Sequence, residues 1–214
     1  MAYVAAATTR IRLATGIIIL PQHNPVITAK QVATLDHLSG GRVILGIGVG
    51  WLEEEFVALD VPFAERAGRT AESVRALRAL WRDEPAPFEG KYYRWQSVES
   101  HPKPVQKPGV PIVVGGHTEM AARRAARYGE GFFPGVADDE KLTWLLGVMR
   151  EECKKIGRDP KTIEVTSGRA QPTVDNVRHL TDLGVSRFMV PPPAFDPDGI
   201  TQGLEKLGEL IAKL

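Results

Sequence analysis

Two glycine-rich turns mark where the backbone of this chain is able to approach a ligand. Gly46-Ile47-Gly48-Val49-Gly50 closes an apolar run, Val43–Ile47, that reads as a short strand. Glycines at a strand's C-terminal end let main chain come close to a bound molecule; the alternative is a tight turn with no ligand. A dinucleotide-binding fingerprint needs a third glycine three positions after the second. Trp51 stands there, so that fold is not read from this motif. Gly115-Gly116-His117-Thr118 follows a second apolar run, Pro111–Val114, and opens a helical pattern. Free N–H groups and the positive end of a helix dipole make such a turn a seat for phosphate. Thr118 is suited both to cap the helix and to donate to an anion; the alternative is an ordinary turn with a capping threonine. His117 is a lone loop histidine, for which a solvated ring is the plainer reading than a ligand contact. Trp51, where a strand end meets a loop, suits either a wall for a flat ring system or a plug in a barrel mouth.

Other familiar chemistries are absent from the sequence. It holds no H-E-x-x-H, no G-x-S-x-G and no Walker lysine motif. The single cysteine, Cys153, falls on a helical apolar stripe and reads as a core thiol, and one cysteine forms no disulfide within the chain. Glu53, Glu54 and Glu55 are consecutive; at about 100° per helical residue they cannot all face one ligand. They read as dipole-compensating groups at a helix start. Arg123 and Arg124 read as a solvated helix face. Few acids or bases thus sit at strand ends, while glycine-rich turns are plentiful. That pattern suits a site in which a bound organic cofactor carries the chemistry.

The bulk numbers are typical of a soluble globular protein. The 214 residues are 43% hydrophobic and 25% charged with a net charge of +1, which makes no electrostatic case for nucleic acid or an anionic membrane as partner. No run approaches the roughly 18 apolar residues of a membrane span. Met1–Thr9 lacks a charged n-region and a cleavage signal, so the expected compartment is the cytoplasm.

The elements that must position these turns alternate throughout. Strands are expected at Arg10–Leu20, Val43–Ile47, Pro111–Val114, Gly131–Phe133, Thr162–Arg169 and Ser186–Val190. Each is followed by a helix. The first helix has Asn24 as cap, Pro25 at its first position, Gly40-Gly41 as stop and Ala29, Val32, Leu35 and Leu38 as its apolar face. Another runs from about Phe63 to Asp83, and a third from Thr118 to Tyr128. The helix after Asp138 carries Leu142, Leu145, Leu146, Met149, Cys153 and Ile156 as a stripe. Thr173 caps a helix with Val174, Val177, Leu180 and Leu183 inward, and the last helix aligns Ile200, Leu204, Leu207, Ile211 and Leu214. Residues 85–108, rich in proline and aromatics, interrupt the rhythm as an excursion with a hairpin. Strand–helix alternation implies parallel pairing, in an open doubly wound sheet or part of a barrel. The start favours the barrel: Ala2–Ala7 looks like the tail of a helix, and two further β/α units of about 30 residues each would complete a (β/α)₈ set. The chain is expected as one domain, 1–214, holding six of eight units.

Three stretches together resemble the luciferase-like monooxygenase superfamily. They are Ala6-Ala7-Thr8-Thr9-Arg10-Ile11-Arg12-Leu13-Ala14-Thr15-Gly16, Thr34-Leu35-Asp36-His37-Leu38-Ser39-Gly40-Gly41-Arg42, and Gly46–Gly50 with Trp51 and Glu55-Phe56. The likeness continues through Pro111–Gly116 to Gly131, and looks most like the branch that uses the deazaflavin coenzyme F420. The resemblance implies a (β/α)₈ TIM barrel with an isoalloxazine-type ring across its C-terminal mouth, the strands here being barrel strands three to eight. It implies that Gly16 and Ile17 match a non-prolyl cis peptide that bulges against the ring. Gly48, Val49, Gly50 and Trp51 match a loop bordering the cofactor, and Gly115, Gly116, His117 and Thr118 match the turn near its phosphate.

Two departures shape the expectation. Val49 stands where luciferase-type flavin binders have an arginine for the flavin phosphate, which favours coenzyme F420 over flavin mononucleotide (FMN). Trp51 stands where some deazaflavin dehydrogenases have a catalytic glutamate, so a sugar-phosphate dehydrogenase is not expected. Residues that the family supplies from its first two strands are not in this chain, and no catalytic residue is assigned. The expected activity is hydride transfer or oxygen activation on a small organic substrate, by a homodimer. The alternatives are a truncated, non-catalytic or cofactor-binding-only member of the same family, or a phosphate-binding enzyme of another class, such as an isomerase, which would need a positioned acid and base.

Overall fold

The strand expected at Arg10–Leu20 is not continuous. In the computed structural model, which describes residues 1–136, 138–168 and 171–214, helix α1 (Ala2–Ala7) leads into two short strands, β1 (Leu13–Ala14) and β2 (Ile18–Ile19). Helix α2 (Pro25–Ser39) follows, then β3 (Val43–Gly48). Both short strands run parallel to β3: Ala14 lies beside Ile44, and Ile18 beside Ile47. The chain therefore advances four residues, 14 to 18, against three on β3, 44 to 47. The extra residue makes a bulge, which bends a strand and re-aims its side chains. The peptide bond inside it, Gly16-Ile17, is cis.

The chain forms two compact units, Met1–Gly115 and Gly116–Leu214. The first is centred on β3, all six of whose residues are buried. Short α3 (Glu53–Ala58) and long α4 (Arg66–Trp81) follow it, and α4 buries Val74, Leu77, Leu80 and Trp81. The 85–108 excursion contains an antiparallel hairpin, β4 (Phe88–Glu89) and β5 (Arg94–Trp95), with Phe88 stacked on Trp95 at 4.5 Å between centroids. Strand β6 (Ile112–Gly115) then pairs in parallel with β3, Gly46 beside Val113.

Local rules account for the helix ends. Asn24 Oδ1 accepts from the N–H groups of Val26 (2.9 Å) and Ile27 (3.4 Å), and Gly40 stops α2 at φ 69°, a backbone that glycine adopts without a Cβ clash. The expected apolar face of α2 is corrected. Its buried residues are Pro25, Thr28, Ala29, Ala33, Asp36 and Ser39, whereas Leu38 is 71% exposed. Small residues allow close approach, with the Trp81 indole N–H donating to the Ala29 carbonyl at 3.1 Å, and the carboxylate of Asp36 is required inside.

The second unit continues the alternation. It holds α5 (Glu119–Tyr128), β7 (Gly131–Phe133), α6 (Asp139–Lys155), β8 (Glu164–Ser167), α7 (Val174–Leu183), β9 (Arg187–Phe188) and α8 (Pro197–Ile211). Strands β7, β8 and β9 pair in parallel in that order. Arg169, expected as the last residue of a strand, lies outside the described residues. Asp138 and Thr173 cap α6 and α7 as expected, accepting from Lys141 N–H (2.7 Å) and Asn176 N–H (3.2 Å). The α6 stripe from Leu142 to Cys153 is buried. In α7 only Leu180 is fully buried, and among the described residues of α8 none is. Periodicity decides which residues share a face; burial depends on what that face meets. No helix among the described residues is long and apolar enough to cross a membrane.

Candidate functional site

The bulge carries Ile17 over three glycines from two adjacent strands. A Cβ on Gly48 would lie 2.5 Å from Ile17 Cδ1, and one on Gly115 3.2 Å from Ile17 Cγ2. One on Gly46 would lie 2.0 Å from the Thr15 carbonyl oxygen and 3.2 Å from Ile17 Cγ2. The Thr15 hydroxyl fixes the segment by donating to the Gly46 carbonyl at 2.8 Å. The glycines of β3 and β6 thus make a side-chain-free floor, and the group that fills it is the chain's own Ile17. This revises one expectation: at Gly46 and Gly48 the close approach is by residues 15–17, not by a ligand directly. Ile17 itself remains 37% exposed, so its outer side is open to a ligand.

The turn after β3 is fixed from below. Gly50 has φ +81°, and a Cβ there would lie 2.7 Å from Phe56 Cε2 and 2.8 Å from Ile19 Cγ2. Phe56 is fully buried and meets Phe63 edge-on, 5.3 Å between centroids. With Gly50 wedged between these groups, Val49 is half-buried and Trp51 projects outward, 81% exposed. Glu53, Glu54 and Glu55 occupy the first turn of α3, where the N-cap residue Leu52 offers no side-chain acceptor, and Glu55 accepts from Gln22 Nε2 at 3.1 Å.

In the second unit the Gly116–Thr118 turn is an N-terminal helix cap. The Thr118 hydroxyl oxygen accepts from Ala121 N–H at 3.3 Å, which leaves its proton for donation. The Gly116 N–H donates to the Phe133 carbonyl at 3.1 Å, so this group is already engaged. Gly116 has φ +143°, and a Cβ there would lie 2.8 Å from that of Ala121. His117 and Thr118 are exposed. Glu119, which would oppose an anion at this helix end, pairs with the Arg123 guanidinium.

Arg123 is not a solvated group, contrary to expectation. Besides Glu119 it donates to Glu152 Oε2 at 2.8 Å, while Arg127 donates to Glu152 Oε1 at 2.7 Å. Arg127, and then Arg123, hold the Glu152 carboxyl below its ordinary pKa, against the opposing effect of burial. A carboxylate only 5% exposed needs such partners. Arg123 lies on the side of α5 that meets α6, a fact no charge count reveals. Burial pushes Tyr128 up to about 12 and raises the Cys153 thiol, so neither is primed for chemistry near neutral pH.

Two buried carboxylates and one half-buried guanidinium lie outside the sequence-derived set. Asp36 accepts from Val105 N–H (2.9 Å), Gln106 N–H (3.1 Å) and Gln106 Nε2 (2.8 Å) at the start of β3. Arg42 donates to the carbonyls of Ser39, Ile11, Ala5 and Thr8 and to the Thr8 hydroxyl. Glu72 of α4 accepts from the N–H groups of Lys91 (2.8 Å), Tyr92 (2.7 Å) and Tyr93 (2.8 Å), tying down the hairpin. Asp36 and Arg42 lie in a stretch that carried the family resemblance, which was their only signal; Glu72 had none.

Comparison with known proteins agrees with this architecture. Residues 1–179 match the family model described as luciferase-like monooxygenase. The chain is 34% identical over 209 residues to an uncharacterised protein of Mycobacterium tuberculosis, covering 97% of this chain and 73% of that protein. It is 35% identical over 167 residues to an F420-dependent glucose-6-phosphate dehydrogenase of Segniliparus rotundus, covering 75% of this chain and 49% of that enzyme. Among solved structures, the monooxygenase RslO1 from Streptomyces bottropensis superposes with a TM-score of 0.69 at 28% identity, covering 99% of this chain and 60% of that one. The chain therefore spans between about half and three-quarters of the length of these proteins. The expected α/β fold of the luciferase-like TIM-barrel type, as six β/α units, agrees with the match across nearly all of this chain. A family match across most of its length, on the fold just described, shows that the chain belongs to the luciferase-like monooxygenase family.

Proposed function

We propose that this chain is the cofactor-holding part of an oxidoreductase that binds coenzyme F420 against the outer side of Ile17 and acts on a small organic molecule. The observation that carries this reading is the floor of Gly46, Gly48 and Gly115, which seats the bulged Gly16-Ile17 segment and leaves an apolar, partly exposed side chain facing outward. Such a surface fits one face of a planar ring. When bound, a deazaflavin supplies hydride transfer, and FMN in its place would add oxygen activation.

Each candidate residue then has a role. Gly16 and Ile17 back the ring and keep water from that face. Gly48 preserves the space that Ile17 needs, and Val49, Gly50 and Trp51 border the ring. Gly115 completes the floor; in the second unit Gly116, His117 and Thr118 make a turn suited to a phosphate group, where the Thr118 proton is available to a phosphate oxygen and the pairing of Glu119 with Arg123 lowers repulsion. Two facts favour the deazaflavin: the Segniliparus relative is F420-dependent, and Val49 supplies no guanidinium for a flavin phosphate.

The test is direct titration of the purified chain with coenzyme F420 and with FMN, followed by fluorescence. The expected result is saturable binding of F420 that is about tenfold tighter than that of FMN, a difference of about 1.4 kcal/mol. Binding of neither would overturn the proposal.

A further inference from the structure

Trp51 decides more than the border of a ring. We infer that its indole selects the substrate class of this site, and that the class is neutral and apolar, an aromatic or aliphatic body carrying the reacting group, not a phosphorylated sugar. The inference rests on the proposed cofactor site for its location, but its evidence is separate.

The first observation is the mounting of the indole. Tryptophan is among the more buried residue types on average, yet Trp51 is 81% exposed. This is not the exposure of a loose loop. Gly50, directly before it, is held at φ +81° with the Phe56 ring and Ile19 Cγ2 filling the space where a Cβ would sit. Phe56, fully buried, is held edge-on by Phe63. A large aromatic side chain is therefore presented to solvent from a fixed base, with its ring faces available for contact. Ile17, beside the glycine floor of the same unit, offers a second exposed apolar group.

The second observation is charge. Segments 16–23 and 48–59 contain no lysine and no arginine; their fixed charges are Glu53, Glu54 and Glu55. All three are exposed, and Glu55 accepts from the neutral amide of Gln22. The next cation along the chain, Arg66, lies over the Phe63 ring at 3.8 Å and donates to the Phe63 carbonyl at 2.9 Å. An anionic substrate would thus meet like charge without a counter-ion from these segments. A neutral body pays no such penalty and gains contact with the indole.

A series built on one common ring tests this in the full chain. Benzyl alcohol, benzyl phosphate and benzylamine share one ring and differ in charge, and glycerol controls for hydroxyl recognition. Each is titrated against the chain with and without coenzyme F420 by calorimetry, a readout that does not depend on the indole, and, where the coenzyme binds, by its absorbance. Benzyl alcohol is expected to bind at least about tenfold more tightly than benzyl phosphate and more tightly than benzylamine. Trp51→Ala is expected to weaken benzyl alcohol about tenfold, Trp51→Phe to keep most of the affinity, and glycerol to change less than about twofold. Benzyl phosphate or benzylamine binding as tightly as the alcohol, or an alcohol affinity untouched by Trp51→Ala, would overturn the inference. Absence of F420 binding with the alcohol series intact would sink the cofactor proposal and leave this one standing; the reverse pattern would do the opposite.

Discussion

The two ends of β3 solve opposite problems. At its N-terminal end the chain holds charge in partners: buried Asp36 gathers donors from Val105 and Gln106, and half-buried Arg42 gathers carbonyls from Ala5, Thr8, Ile11 and Ser39. At its C-terminal end Gly46 and Gly48 carry no side chains, and a neighbouring segment lies over them. Both ends belong to stretches that resemble the same family, but for different physical reasons. Buried charge is tolerated only when its partners are supplied, so the first end fixes the strand. The bare end makes room for a side chain that faces outward. In β/α barrels, residues at the C-terminal strand ends carry function and those at the opposite ends carry stability, and the proposed function divides β3 along that line.

Substitutions at each end should separate the two roles. The largest expected effect is at Asp36→Ala, which removes a buried acceptor shared by four donors of Val43, Val105 and Gln106 and should cost about 3–5 kcal/mol, read as a lowered urea midpoint. Coenzyme affinity per folded molecule should be unchanged. A loss below about 1 kcal/mol would erase the contrast between the ends. Gly48→Ala comes next: its methyl would meet Ile17 Cδ1, the mobile tip of a side chain, so stability should fall by only about 1–2 kcal/mol. Coenzyme binding should weaken more than about tenfold as Ile17 shifts. Ile17→Ala added to Gly48→Ala should be less destabilising than the sum of the two, because the clash is shared; strict additivity would show that Ile17 does not rest on that glycine.

The smallest effect sharpens the comparison from the second unit. Glu152 has a folded pKa held below its unfolded value by Arg127 and Arg123. Its contribution is therefore complete above the unfolded carboxyl pKa of about 4.3 and fades as pH falls through the lower folded value. Glu152→Gln should flatten the urea midpoint against pH below about 4.3, with coenzyme binding unaffected. An identical acid limb in both proteins would mean that the Arg–Glu cluster gives no net stabilisation.

Much of the fold was legible in the sequence because it is set locally. Caps at Asn24, Thr118, Asp138 and Thr173, the glycine stop after Ser39 and the α6 stripe each follow from a few neighbouring residues. The candidate site was legible in part. Its glycines were visible, but their occupant was not, since Ile17 reaches Gly48 and Gly115 only after three strands, β2, β3 and β6, have paired in register. The face of α2 was misread for a related reason: hydrophobic spacing favours Leu38, whereas burial goes to Asp36 and the small residues around it.

The order of strands and helices, their caps and the positions of the two glycine turns were determined by the sequence alone, because backbone propensity and side-chain period act over a few residues. Tertiary structure decided the bulge at residues 14–18, the seating of Ile17, the outward projection of Trp51 and the partners of Asp36, Glu72 and Glu152. Each of these depends on groups that lie far apart along the chain, and their charges and volumes meet only once the strands and helices have packed.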